Sequence, residues 1–224
     1  MTDNLEQLHT TYWFVQKMNL GLSKINAMHP PADTFELQLY YGLYFESLLS
    51  LIDYFGDKDD RIRQEFHSAL LPVGGVDKNP NTYIRELRNG VVHRGLSITG
   101  RGSVLDGIVR LHLPPQVPLK KSGYVTAPDG FKYVHEVIDF IENTYRSVLL
   151  AAFERMKMFD LPDDAQAEKA HTAMLDAFKQ TDQIPEELKS LVKPVLNELD
   201  MKEILSSQIE HLRQAIFIVN STSA

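Results

Sequence analysis

The sequence predicts an all-α protein: a helical bundle with a small β-hairpin or loop insert near residues 97–130 and extra helices at the C-terminal end. Two observations carry this. Apolar residues recur at helical spacing on both sides of the insert, and proline, glycine and capping residues interrupt those stretches at helix-length intervals. Between Ser97 and Gly130 the helical period is lost, and Gly100, Gly102, Gly107 and Gly123 alternate with four prolines.

The first helix rests on Leu5, Leu8, Tyr12, Val15, Leu22 and Ile25, and ends near His29-Pro30-Pro31, because proline cannot continue it. A second runs from about Ala32 to Phe55, with Asp33 and Glu36 placed as a capping pair. It is apolar almost all round, the pattern of a central bundle helix or an oligomer interface. Gly56 ends it, and Asp57-Lys58-Asp59-Asp60 opens a shorter helix to about Leu71. Pro72 to Pro80 reads as a loop. Asn81 or Thr82 can cap a helix that runs to about Arg94, with Gly95 placed to end it. In the insert, Ile108 to Leu113 alternates like a strand, and Tyr124-Val125 is its expected partner.

Phe131 to about Met158 is helical again, and Leu161-Pro162 breaks it. Asp163 or Asp164 caps a helix to about Lys179. Pro185 starts another, which Pro194 bends or breaks, and Asp200 caps the last. The domain expectation is a bundle over residues 1–160 and a helical appendage over 161–224.

Composition narrows the function. The chain of 224 residues has no cysteine, which removes disulfides, thiolate zinc sites and cysteine nucleophiles. No apolar run reaches the roughly 20 residues that span a bilayer, and the polar, acidic start lacks the features of a signal peptide. The expectation is a soluble, cytoplasmic protein without a membrane role. The formal net charge is −7, yet Tyr83 to Tyr133 holds eight Lys/Arg against three Asp/Glu, so this window carries +5 and the rest −12. A basic centre in an acidic chain suggests a localised anionic ligand.

The chemistry concentrates in Tyr83 to Leu96. On a helix, Ile84, Leu87 and Val91 form one apolar stripe, while Arg85, Asn89 and His93 follow one another on another face with Arg88 beside them. Gly90 costs about 1 kcal/mol against alanine there, which suggests close approach of a helix or a ligand. Glu46, Ser50 and Asp53 share one face of the second helix and could position the arginines. The remaining histidines are scattered without metal-ligand spacing, so no metal and no cofactor is expected. Trp13 and the tyrosines of the second helix read as core or interface.

Arg88-Asn89-Gly90-Val91-Val92-His93 resembles the signature of the HEPN superfamily, the higher eukaryote and prokaryote nucleotide-binding domains: an arginine, often a polar residue after it, then a histidine after a short spacer. The helices around it match such a bundle over about residues 1–160. The resemblance implies a homodimer whose two motifs face a shared cleft, and a metal-independent endoribonuclease, often a toxin or phage-defence effector with a neutralising protein partner. It equally admits a non-catalytic module that binds RNA, a nucleotide or a protein. Arg88 and His93 match the two signature positions and Asn89 the polar one, which makes these three the candidate catalytic residues. Arg85 and Arg94 are candidate substrate-binding residues, with Glu46 and Asp53 in support. Histidine can move the proton of an RNA 2′-hydroxyl, and arginine can hold phosphate oxygens through its rigid fork.

Overall fold

The computed structural model describes residues 3–70, 80–93, 101–181 and 184–217. Among these residues it holds eight α-helices and four short strands, and no helix is long and apolar enough to cross a membrane. The chain divides into two compact units, Trp13–Ala152 with Ala215–Ala224, and Met1–Tyr12 with Phe153–Gln214. The C-terminal helices group with the first residues of the chain.

The larger unit is built on α1 (Asp3–Asn26), from Trp13 onward, and on α2 (Thr34–Gly56). Asp33 caps α2, its Oδ1 accepting from the N–H groups of Phe35 at 2.7 Å and Glu36 at 3.3 Å. The apolar character of α2 is largely used up within the unit: Tyr41, Tyr44, Phe45, Leu48, Leu51 and Phe55 are all fully buried. Phe35 and Leu39, at its start, stay 72% and 50% exposed. Trp13 is 63% exposed, so it is not a core residue.

At Gly21, an added Cβ would sit 2.9 Å from the Tyr40 carbonyl oxygen and 3.2 Å from the Tyr44 nitrogen. Both are backbone atoms of α2 and cannot rotate away. Gly21→Ala should therefore destabilise the protein by about 1–3 kcal/mol, even though alanine is the better helix former by about 1 kcal/mol. Urea denaturation checks the sign, and an increase in stability would contradict the close approach.

Two further helices complete the bundle before the insert, α3 (Asp60–Leu70) and α4 (Pro80–His93). Helix α4 starts at Pro80, a favoured first helical residue, one position ahead of the expected cap at Asn81 or Thr82. The expected loop over Pro72–Pro80 lies largely outside the described residues, as does the expected stop at Gly95.

The insert differs from expectation in its pairing. It forms two hairpins, β1 (Gly102–Leu105) with β2 (Ile108–Leu111), and β3 (Gln116–Pro118) with β4 (Tyr124–Thr126). Each strand thus pairs with its neighbour in sequence, and Ile108 to Leu111 does not meet Tyr124. The cause is local: Asp106 and Gly107 both adopt positive φ, 51° and 77°, forming a two-residue turn that closes the first hairpin on itself. A bridge between His112 and Tyr133 links the end of the first hairpin to the approach to α5 (Val134–Arg155).

Inside this unit lies a buried polar network that the sequence does not announce. Glu142 is 6% exposed and accepts from the Tyr44 hydroxyl and from Arg146 Nε, both at 2.6 Å. Arg146 also donates to Asn19 Oδ1 at 2.8 Å and to the carbonyls of Ala215 and Ile216 at 3.1 and 3.3 Å. Burial and the adjacent carboxylate raise the Tyr44 phenol well above its ordinary value. One ion pair thereby ties α1, α2, α5 and the end of the last helix together.

The smaller unit holds α6 (Asp164–Gln180), α7 (Glu186–Asn197) and most of α8 (Met201–Phe217). Asp163 and Gln166 form a capping box at α6, and Asp200 caps α8. Pro194 lies inside α7 without breaking it. Ser190, whose carbonyl loses its partner there, is exposed and open to water.

Candidate functional site

Helix α4 presents its polar face where α2 turns into α3. It is held there by an apolar stripe and by hydrogen bonds that include one from Tyr83. Tyr83, Ile84, Leu87 and Val91 are buried, and Gly90 is buried with them. The helix packs against α2, α3 and the second hairpin. The Tyr83 hydroxyl donates to the Pro114 carbonyl at 2.6 Å, which fastens α4 to the insert. Burial raises that phenol well above its ordinary value.

Across from this stripe, Asp53 and the arginines meet. Asp53 Oδ1 accepts from Arg85 Nη2 at 2.8 Å, and Oδ2 accepts from Arg85 Nη1 at 3.2 Å, a two-point fork on a carboxylate. Arg88 Nη2 lies 3.9 Å from Asp53 Oδ2. The Arg88 side chain is 17% exposed, and its Nε is buried without a hydrogen-bond partner. Two guanidinium groups thus share one carboxylate, leaving one positive charge uncompensated within the trio. A partly buried, partly unsatisfied arginine in that position can donate to a phosphate oxygen with little loss of hydration.

A third arginine holds the backbone that carries Asp53. Arg63 of α3 donates from Nη1 to the Gly56 carbonyl at 2.8 Å and from Nη2 to the Asp53 carbonyl at 3.2 Å. It also pairs with Asp57. This caps the C-terminal end of α2 and sets the backbone from which the Asp53 side chain reaches Arg85. Spacing along the sequence suggests only the i, i+3 pair of Arg63 with Asp60, 3.5 Å apart, and not its bonds to the carbonyls at the end of α2.

Of the residues singled out from the sequence, the structure brings together Asp53, Arg85 and Arg88. Asn89 is half-buried beside them on α4. Glu46 is half-buried on α2 and forms no ion pair with either arginine. His93 is the last residue of α4, but its side chain lies outside the described residues, and so does Arg94. Among the described residues no group of three or more His, Asp or Glu is arranged to hold a metal ion.

The scattered histidines have individual roles. His171 Nε2 is 2.7 Å from the Leu196 carbonyl, His29 Nδ1 is 2.9 Å from the Gly107 carbonyl, and His9 Nε2 is 3.0 Å from Gln208 Oε1. His112 Nε2 lies 2.8 Å from Ser103 Oγ on the first hairpin.

No protein-family model, no curated protein and no solved structure matches the chain.

Proposed function

We propose that the protein is a HEPN-type endoribonuclease that cleaves RNA through its 2′-hydroxyl without a metal ion, and that Arg88 and His93 are its working pair. The observation that supports this most is the trio of Asp53, Arg85 and Arg88, with its surplus positive charge on the helix that ends at His93. His93 takes the 2′-hydroxyl proton or returns one to the leaving oxygen. Arg88 stabilises the charge that develops on the phosphorane. Arg85, held by Asp53, sets the electrostatics of the cleft, Asn89 orients the phosphate or the opposing motif, and Arg94 extends the contact along the RNA backbone. Glu46 supports the same helix face. A toxin or phage-defence role, with a neutralising protein partner, is the context the motif suggests.

Asp53→Asn separates positioning from charge. It removes the two-point hold on Arg85 while making the site more positive. RNA should bind at least as tightly, and kcat should fall by about tenfold or more as the guanidinium groups lose their fixed geometry. Steady-state kinetics on a labelled oligoribonucleotide check the split. An unchanged kcat would mean that Asp53 has no positioning role.

The reading also takes the active form to be a homodimer, with the exposed Phe35 and Leu39 of α2 among the surfaces it covers. Light scattering should give twice the chain mass of 25.5 kDa, and a monomer at tens of micromolar would remove the shared cleft. The alternative, a non-catalytic module of the same fold, draws support from the direct pairing of Arg85 with Asp53. It predicts RNA or nucleotide binding without strand scission in the same assay.

A further inference from the structure

The first hairpin and the approach to α5 gather a second set of polar groups, separate from the arginines of α4. In the β1–β2 ladder Ser103 stands opposite Arg110, so their side chains share one face, and His112 follows two residues further along it. Ser103 Oγ and His112 Nε2 are 2.8 Å apart. The bridge from His112 to Tyr133 carries this face onto the next segment, where the Tyr133 ring stands edge-on to His112 at 5.1 Å. The Lys132 ammonium lies 5.0 Å from the centre of the Tyr133 ring.

This cluster is rich in donors and poor in acceptors. It offers a hydroxyl, a phenol, an imidazole N–H and an ammonium. Lys132, together with the Ser103 hydroxyl, holds the Tyr133 phenol below its ordinary value. Glu136, three residues beyond Tyr133, accepts with its carboxylate from the backbone N–H groups of Lys132 at 2.6 Å and Tyr133 at 2.9 Å. Among the described residues neither Lys132 nor Arg110 forms a salt bridge, and Arg110 donates to the neutral Asn26 side chain at 3.1 Å. The other acid facing this region is Asp139, whose pKa is raised by burial against the opposing pull of His135 and Arg110. Two cations outside salt-bridge distance of any carboxylate among the described residues, with Glu136 and Asp139 acting on them only from further off, stand beside hydroxyl and imidazole donors on one face, an arrangement that suits a tetrahedral oxyanion.

We propose that Ser103, His112, Lys132 and Tyr133 form a phosphate-binding site, with Arg110 adding positive charge from the same strand face. The site stands on its own residues and does not depend on RNA cleavage at Arg88.

The test follows the His112 ring signals of the full-length protein by NMR, assigned by their loss in His112→Gln. The probes are inorganic phosphate, a nucleoside 5′-monophosphate and a dinucleotide, each against chloride at matched ionic strength. The expected result is a saturable shift of His112 with at least one probe. The tightest of the three then tells free phosphate from a phosphomonoester or a phosphodiester. Lys132→Ala should weaken binding by about tenfold, and Ser103→Ala should weaken it too. Lys120→Ala removes the same charge from the second hairpin and should leave it unchanged. The proposal is overturned if none of the probes saturates, if acetate shifts His112 equally, or if both Lys132→Ala and Ser103→Ala bind as the parent does.

Discussion

Arg88→Lys is expected to lower RNA cleavage by about two orders of magnitude or more while leaving the fold intact, and His93→Ala by about 10²–10⁴-fold. The two effects have different origins. Lysine keeps the charge but replaces a planar fork with a single point, so it cannot hold two phosphate oxygens in the geometry of the phosphorane. Its ammonium is also more strongly hydrated, a disadvantage where the Arg88 side chain is only 17% exposed. Alanine at position 93 removes the imidazole, and with it proton transfer at the 2′-hydroxyl. Circular dichroism and melting curves should stay close to the parent for both variants. Cleavage that survives both substitutions would place the chemistry elsewhere.

The second large effect concerns stability. Arg146→Ala should cost about 3–5 kcal/mol, because it leaves the Glu142 carboxylate buried without its cation. The loss is compounded at Asn19 and at the carbonyls of Ala215 and Ile216, each of which gives up a donor. For a chain of this size the melting temperature should drop by about 10 °C. The double variant Glu142→Leu with Arg146→Met removes both charges and fills the space, so it should cost less than Arg146→Ala alone. A single variant that melts within a degree or two of the parent would show that the network does not hold the helices together.

What the sequence discloses and what it hides follow from how local each cause is. The caps at Asp33, Asp163 and Asp200 are legible because a side chain bonds to N–H groups two or three residues on. Asp53 is legible as a charge on a helix whose sequence is otherwise apolar almost all round, and such a charge needs a partner. That its partner is Arg85 in full and Arg88 only in part depends on how α4 lies on α2, which no spacing along either helix encodes. Arg63 is hidden for the same reason: its bonds run backward to the end of α2. Glu142 and Arg146 make an ordinary i, i+4 pair in the sequence, and only the packing of α1 and α2 over α5 turns it into a buried network. The hairpin pairing was within reach, since Asp106-Gly107 is a strong two-residue turn signal. The alternation of Ile108 to Leu113 draws attention to a more distant partner instead.

Incubation of the purified protein with an end-labelled RNA in excess EDTA tests the central claim most directly, run beside Arg88→Lys and His93→Ala. Attack by the 2′-hydroxyl predicts fragments that end in a 2′,3′-cyclic phosphate, formed at full rate with the chelator present and nearly absent in both variants. RNA that remains intact with the parent protein, or cleavage that stops with EDTA or persists in both variants, would contradict it.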